Sequence, residues 1–548
     1  SGVRDVPFGH QWTARTPIIF PLSNMLFWGM GLPLGIAAWI GWGVMGWQLV
    51  RKREWQHVLI WAWGTLFFLY QGTQWVKSMR YLLPVYPVFT VFGAWVLVRG
   101  ATWAWTWSRP LQLRRKVVRG TLLILPGLIL VGTLVWALAF LQIYSRSLTR
   151  VEASRWMYNN IPTTVTAHTE SGIKIQIPVQ PNTVLSAYAP LSLTPFTPDA
   201  DCVVSRFTLN KVSATEKIGD RLLRLALVTD LYETEVLAET TIDFSILTGG
   251  THVIEAELPN TIALAGGRQV YLSITLLEGE TIRLQTSVIA NEHWDDALPQ
   301  RMDGKDAFGN WYRSLASNPP DGQMNNYDND TPEKRKALFD WLDEADYIVL
   351  SSNRLYASIP RLPMRYPFTT AYYQALFNGS LGFELLAEFV SYPALGLCQF
   401  PDQEMPFEVP AARYSNARPC SIPFPAAEEA FSVYDHPTVF IFAKTDTYSR
   451  LQAEAVLPSS LLNNVQWMTP LEATRSSKTK NISLLMTPRI RADQESGGTW
   501  WRIFNRNALQ NRSQILAAIV WWLFLTALGL AAFPWLYYAF PALRYRGY

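Results

Sequence analysis

The chain has 548 residues, 49% of them hydrophobic and 14% aromatic, with 24 Trp and only 16% charged. That apolar excess excludes a purely soluble multidomain protein and points to bilayer-spanning helices, because several windows of about 20 residues carry no charge at all. The formal net charge of +4 conceals an asymmetry: residues 144 to 511 hold 31 basic and 41 acidic side chains, while all the rest hold 16 and 2. An acidic globular part repels phosphodiesters, and the basic residues sit in short loops beside apolar segments, so nucleic-acid binding is excluded as a function.

In chain order, residues 1–24 read as a short segment outside the cytoplasm, followed by a four-helix transmembrane region over 25–144. Its spans are Met25 to Val50, Val58 to Gln71, Tyr81 to Val98 and Thr121 to Tyr144, and a fifth is Ile515 to Phe540 within 512–548. The second is short, and reaches spanning length as Trp55 to Gln74 if Gln56 and His57 lie among headgroups. Arg51, Lys52 and Arg53 separate the first two spans; Arg99, Arg109, Arg114, Arg115, Lys116 and Arg119 separate the third and fourth. The positive-inside rule places both loops in the cytoplasm, with the tail carrying Arg544 and Arg546. Alternation then predicts a multi-pass protein of the cytoplasmic membrane, with the loop around Lys77 and Arg80 and all of 145–511 extracytoplasmic.

The outer part divides by period. VEASRWMYNNIP reads as a helix closing at Pro162, and residues 145–174 with 291–511 read as an α/β domain. Between them, 175–290 switches to period two: Val270, Leu272, Ile274 and Leu276 alternate with polar neighbours, as do Ile282, Leu284 and Thr286, and similar runs surround Val204, Leu225, Phe244 and Ile254. With Gly-Gly turns at 249–250 and 266–267 this predicts an inserted antiparallel β-sandwich. Farther on, Thr331 and Pro332 open a helix, YIVLSS from Tyr347 reads as an apolar strand, a second helix lies near Tyr372, and FELLAEFVSYP and TVFIFAK read as further strands. The expected fold is thus membrane α-helical, with about five transmembrane helices and a large extracytoplasmic α/β domain carrying the sandwich. Of the three cysteines, Cys398 and Cys420 could pair if the domain is extracytoplasmic; three free thiols is the alternative.

KSMRYLLPVYP, Lys77 to Pro87, resembles the Arg-Tyr-x-x-Pro start of a late transmembrane helix in family-39 and related C-type glycosyltransferases, membrane enzymes that move a sugar from a polyprenyl-phosphate carrier. The strings DVPFGHQWTARTPIIFPLSNMLFWGMGLP, ANEHWDDALP, DYIVLSSNRLY and SYPALG fit large bacterial members of that group, and GGTWWRIFNRN with FPALRYRGY resembles the start of an uncharacterised polytopic membrane-protein family. The resemblance implies that Arg80, followed by Tyr81, contacts the carrier phosphate, a role a guanidinium fork suits. An interfacial Arg-Tyr anchor is the plainer reading. His10, Trp12 and Arg15 lie in the same outer layer and would line that pocket. The family's catalytic carboxylate follows its first transmembrane helix, whereas Asp5 is the sole acidic residue ahead of the first span here. The expectation is therefore the C-terminal portion of such a transferase, with no catalytic residue of its own, completed by an N-terminal membrane part and using membrane lipid and a polyprenyl-phosphate-linked sugar. A non-catalytic scaffold or accessory subunit, contacting other subunits of a membrane complex, is the alternative.

Glu292, His293, Asp295 and Asp296, with Asp303 and Asp306 nearby, form the densest set of ligand-type side chains, and DNDTPE at 328–333 is a second acidic loop. Converging oxygens could take a divalent cation, but the spacing matches neither an EF-hand nor a zinc site, and acidic loops of this kind are usually solvated surface or helix caps. The sandwich lacks any Trp between Trp156 and Trp294, which argues against an aromatic sugar platform built from its own strands.

Overall fold

The computed structural model describes residues 7–106, 113–214, 219–245, 250–292, 301–302, 305–306, 311–315, 326–478, 508 and 512–539. The chain divides into two compact units, Ser1–Ser477 and Lys478–Tyr548.

The first unit begins with a 3-10 turn (Pro7–Trp12), the short helix α1 (Ile19–Asn24) and a π-turn (Met25–Gly29). Helix α2 (Leu32–Lys52) starts with Pro in its first turn and ends in Arg51 and Lys52, which suit the negative end of the helix dipole. Its buried face carries Gly35, Ala38 and Gly41. A Cβ at Gly41 would lie 2.0 Å from the Phe92 carbonyl oxygen, so glycine lets α2 pack closely on α4 (Tyr86–Trp105). Between them, a 3-10 turn (Trp55–His57) leads into α3 (Val58–Thr73). Helix α5 (Leu113–Leu141) follows and passes through a 3-10 turn (Gln142–Ser145) towards α6 (Thr149–Asn160).

Three helical segments are long and apolar enough to cross a membrane: Met79–Trp105, Lys116–Asn160 and Gln514–Trp535. Large side chains of the last two face outward, as Leu130 (72% exposed) and Trp535 (81%) illustrate, while the first also buries Phe89 and Phe92 in a core. The first two expected spans fall short of that test. Helix α2 is long enough but diluted with Gly and Trp, and the 16 residues of α3 reach only about 24 Å against a hydrocarbon core of roughly 30 Å.

The sandwich begins earlier than the expected residue 175. After Pro162 ends the helical stretch, β1 (Val165–Thr169) already pairs with β2 (Lys174–Ile177) and with β5 (Cys202–Ala214). One sheet runs β2-β1-β5-β10-β3, where β10 (Ile282–Leu284) lies between β5 and β3 (Thr183–Leu185), and β8 (His252–Leu264) also pairs with β5. The other runs β4-β9-β6-β7, built from β4 (Leu191–Phe196), β6 (Asp220–Val228), β7 (Val236–Ser245) and β9 (Val270–Glu278). Val270, Leu272, Ile274 and Leu276 are buried between the sheets together with Val165, Phe207, Leu225 and Leu284, so the period-two pattern marks the true inner face.

Strand β11 (Val288–Asn291) already belongs to the α/β domain. A two-residue ladder, β12 (Arg301–Met302) with β13 (Lys305–Asp306), precedes its edge strand β14 (Arg313–Ser314). The mixed sheet runs β14-β11-β15-β21-β16-β19, through β15 (Tyr347–Leu350), β16 (Phe383–Phe389), β19 (Tyr414–Ser415) and β21 (Val439–Lys444). Alternation sorts its two faces. Ile348, Leu350, Phe440 and Phe442 share a core with Phe339 and Trp341 of α7 (Pro332–Glu344) and Tyr372 and Phe377 of α8 (Pro367–Phe377), while Val349, Ile441 and Phe389 pack with Ala153 and Met157 of α6. Thr331 accepts a hydrogen bond from Lys334 N as the expected cap of α7. Short strands β17 (Ala394–Leu395), β18 (Cys398–Gln399) and β20 (Cys420–Ser421) form a small sheet, and Cys398 and Cys420, paired across β18 and β20 with Cα atoms 4.4 Å apart, are disulfide-bonded. The rest of this unit includes α9 (Glu429–Ser432), α10 (Arg450–Val456) and α11 (Pro470–Lys478).

In the second unit, α12 (Gln514–Ala539) is apolar all round, as expected for the last span.

Candidate functional site

Arg80 does not sit on a regular helix. Ser78 caps a 3-10 turn, Met79–Val85, by accepting from Arg80 N, and Pro87 opens α4 immediately after it. The turn is fastened from the α/β domain: Glu428, buried just ahead of α9, accepts 2.7 Å from Ser78 Oγ and 2.9 Å from Met79 N, and its own N–H donates 2.9 Å to Asn24 Oδ1. Burial pushes the Glu428 carboxyl up to about 7, although the bonds from Ser78 and Met79 and the charge of Arg80 pull the other way. The Arg80 guanidinium lies 5.4 Å from the centre of the Tyr81 ring and lines an open groove of about 870 Å³.

That groove runs between α4, α5 and the α/β domain. Its walls are largely apolar, with Trp28, Leu34, Leu83, Trp136, Phe140 and Phe431 prominent. Aromatic contacts knit the walls together: Trp136 stacks on Phe424 at 5.3 Å, Trp28 lies 5.8 Å from Trp136, and Trp28 Nε1 donates 2.8 Å to the Pro425 carbonyl. Tyr86 also lines the groove, and its buried hydroxyl has no hydrogen-bond partner among the described residues. A Cβ on Gly29 would lie 2.1 Å from that oxygen, so the ring occupies space only a glycine leaves open.

At the other polar end, Tyr144 OH donates 2.6 Å to Asp435 Oδ2. Asp435 Oδ1 lies 2.6 Å from Nδ1 of the buried His436, whose Nε2 lies 2.6 Å from Asp402 Oδ2. Burial alone would depress the imidazole, but the two carboxylates outweigh it and hold His436 up at about 9. The ring is thus an imidazolium donating from both nitrogens. Burial would raise Asp435, yet the bonds from His436 and Tyr144 prevail and lower it. The groove therefore presents one guanidinium and two carboxylates of opposite character to a mostly apolar channel.

Of the residues singled out in the sequence, Arg80 and Tyr81 adjoin one another at this groove, whereas His10 and Arg15 do not line it. His10 is buried against the α/β domain, its ring 5.4 Å from Tyr327 and 5.8 Å from Tyr366. Arg15 donates 2.5 Å to Glu404 Oε2, shares that carboxylate with Arg361, and covers the Phe20 ring at 4.5 Å. Burial and the neighbouring Arg361 depress its pKa, with Glu404 opposing.

Glu292 is a core group, accepting 2.6 Å from Tyr373 OH and 2.9 Å from Asn326 Nδ2. His293, Asp295 and Asp296 lie outside the described residues, as does Asp303. In the second acidic loop, Asp330 works as a cap: its carboxylate accepts from Phe368 N (2.8 Å) and Thr369 N (3.1 Å) at the start of α8 and pairs with Lys334 at 3.1 Å. Among the described residues, no three His, Cys, Asp or Glu side chains converge as a metal site.

Glu428, Asp435 and His436 escaped the sequence reading because they stand some 350 positions from Arg80 in no recognisable motif. The one available signal was AAEEAF, two carboxylates in an otherwise apolar string.

No protein-family model and no curated protein matches the chain. Among solved structures it is similar to the CBM22-1–GH10 modules of Clostridium thermocellum xylanase 10B in complex with xylohexaose (12% identity, TM-score 0.13, 24% of this chain and 29% of that one). It is also similar to a carbohydrate-binding module of the family 9 glycoside hydrolase Cel9A from Ruminococcus flavefaciens (13%, TM-score 0.12, 22% and 98%) and to an arabinose-bound GH51 α-L-arabinofuranosidase, MgGH51 (16%, TM-score 0.10, 22% and 31%). The chain spans less than a third of the first and the last of these. At such scores the likenesses support neither a fold nor a function for this chain.

Proposed function

We propose that this chain is the C-terminal part of a membrane glycosyltransferase that takes a sugar from a polyprenyl-phosphate carrier at the outer face of the membrane. The observation that carries the reading is the groove itself: apolar walls on membrane-type helices, with a guanidinium at one end, on a turn that a buried carboxylate fastens through Ser78 and Met79. An isoprenoid chain would fill the apolar length, the Arg80 fork would hold the phosphate, and Glu428 would keep the Arg80 turn in place. Charge building on a departing phosphate would be met by Arg80 in a water-poor setting. The catalytic carboxylate implied by the resemblance belongs to a preceding membrane part.

We also propose five spans with residues 145–511 extracytoplasmic. The Cys398–Cys420 disulfide supports that side, since such bridges persist in oxidising compartments. The two basic loops and the basic tail agree with it.

In the complete gene product, Arg80→Ala should reduce carrier-dependent transfer by about tenfold to a hundredfold, the equivalent of one charge-assisted phosphate contact, with membrane insertion unchanged. Arg80→Lys should recover only part, keeping the charge without the fork. Transfer unaffected by Arg80→Ala would favour a scaffold role instead.

A further inference from the structure

A second cavity, about 660 Å³, lies where the sandwich meets the α/β domain, far in sequence from the Arg80 turn. One wall comes from the sandwich, through β2, the end of β4 and the turn that follows it; the other comes from the end of α6 and from Trp311. The strands themselves contribute no tryptophan, yet the fold delivers one: Trp311 meets the buried Tyr158 edge to face at 5.0 Å, and Trp311 with the flat rings of Pro178 and Pro195 supplies apolar surface to the cleft, while Tyr158 and Phe196 back it from the cores.

Set among them are side chains with hydrogen-bonding capacity to spare. Asn159, Lys174, Asp199 and Gln269 are exposed on the cleft lining and make no side-chain hydrogen bond among the described residues. Gln176 is more than nine-tenths buried; its Oε1 accepts from Thr163 N (3.0 Å) and Thr166 Oγ1 (2.9 Å), and its amide NH2, which keeps some exposed surface, has no acceptor among the described residues. Those donors are open to a ligand or to water. Asp201 spends one oxygen on Gly266 N at 2.8 Å and keeps the other.

From this lining we propose that the cleft binds a neutral saccharide, independently of the reading given for the Arg80 groove. A sugar ring offers an apolar C–H face to aromatic and proline surfaces and a rim of hydroxyls, each donor and acceptor, to amides and carboxylates. The charge balance selects against other classes: Asp199 and Asp201 outweigh Lys174, which repels phosphates and acidic sugars. The cleft lacks the long apolar channel a lipid needs. A peptide added to the free edge of β2 is the competing occupant, but that strand is only four residues long and Pro178 follows it directly.

The test is saturation-transfer NMR on the full chain in detergent micelles, with neutral hexasaccharides of glucose, xylose, mannose and N-acetylglucosamine, a sulfated hexasaccharide and a short polar peptide each offered at millimolar concentration. At least one neutral saccharide should receive saturation, and the sulfated one should not. Trp311→Ala should weaken that saccharide on the order of tenfold, with Trp311→Phe intermediate. Because Trp311 also packs against Tyr158, a second variant guards against misfolding: Asp199→Ala with Gln269→Ala, two exposed positions without internal partners, should weaken binding about threefold to tenfold while leaving Tm unchanged. Transfer to none of the neutral saccharides, to the peptide or the sulfated sugar instead, or saccharide binding indifferent to both variants, would overturn the proposal.

Discussion

Two carboxylates face the same groove, and their surroundings drive them in opposite directions. Glu428 is buried with neutral donors and a cation that only lines the same space, so desolvation prevails and its carboxyl rises to about 7. Asp435 touches an imidazolium and a phenol directly, and it is lowered despite its partial burial. Depth and contact with a charge act together: the deeper acid without a direct cation is raised, and the shallower one touching an imidazolium stays ionised. The Glu428 end can therefore change charge near neutrality, while the Asp435 end stays fixed.

The largest effect should come from breaking the fixed end. Asp402→Ala leaves a buried His436 with one carboxylate, and about 3 to 5 kcal/mol of stability should be lost, read as a fall in the denaturant midpoint at pH 7. If Asp402→Ala is neutral, the ion pair is not holding this corner together. Next comes pH. His436 is raised from its ordinary 6.5 to about 9, so the stability it adds is complete below pH 6.5 and disappears as pH rises through 9. Thermal unfolding should show a loss on the order of 3 kcal/mol across that window, and His436→Gln should flatten it.

The switchable end should respond less. Glu428→Ala orphans Ser78 Oγ and Met79 N and should cost about 1 to 3 kcal/mol, with transfer by the complete gene product falling because the Arg80 turn is no longer pinned. Glu428→Gln, which still accepts, should retain most of both. Smallest of all is Tyr86→Phe. Its hydroxyl has no partner among the described residues, so stability should stay within about 0.5 kcal/mol of wild type, and a drop in carrier use without a drop in Tm would identify the hydroxyl as a ligand contact.

Elements with a strong local signature were legible in the sequence. The alternation in QVYLSITLL gave the inner face of β9, and Thr331-Pro332 gave the start of α7, because side-chain period and capping act over a few residues. Arg80 was legible at the mouth of a span for the same reason: a charge, an aromatic ring and two prolines cluster beside an apolar run. The far wall of the groove was not. Glu428 reaches Ser78 across 350 positions, and His436 acquires its second partner only when Asp402 is folded beside it. The acidic 328–333 loop gave the right residue types, but whether Asp330 meets a cation or a helix end depends on where α8 arrives. Burial likewise moved His10 and Arg15 into contacts with Tyr327, Tyr366 and Glu404 that no local pattern announces.

The Gly29–Tyr86 contact has an evolutionary consequence. With a Cβ at position 29 only 2.1 Å from the phenol oxygen and 2.6 Å from ring carbons, even alanine would drive the ring out of its seat and into the groove, so a bulkier residue 29 is tolerable only after position 86 has shrunk. The two positions are bound to change in a fixed order, and related sequences that enlarge residue 29 should carry a small side chain at 86 and a groove of different width.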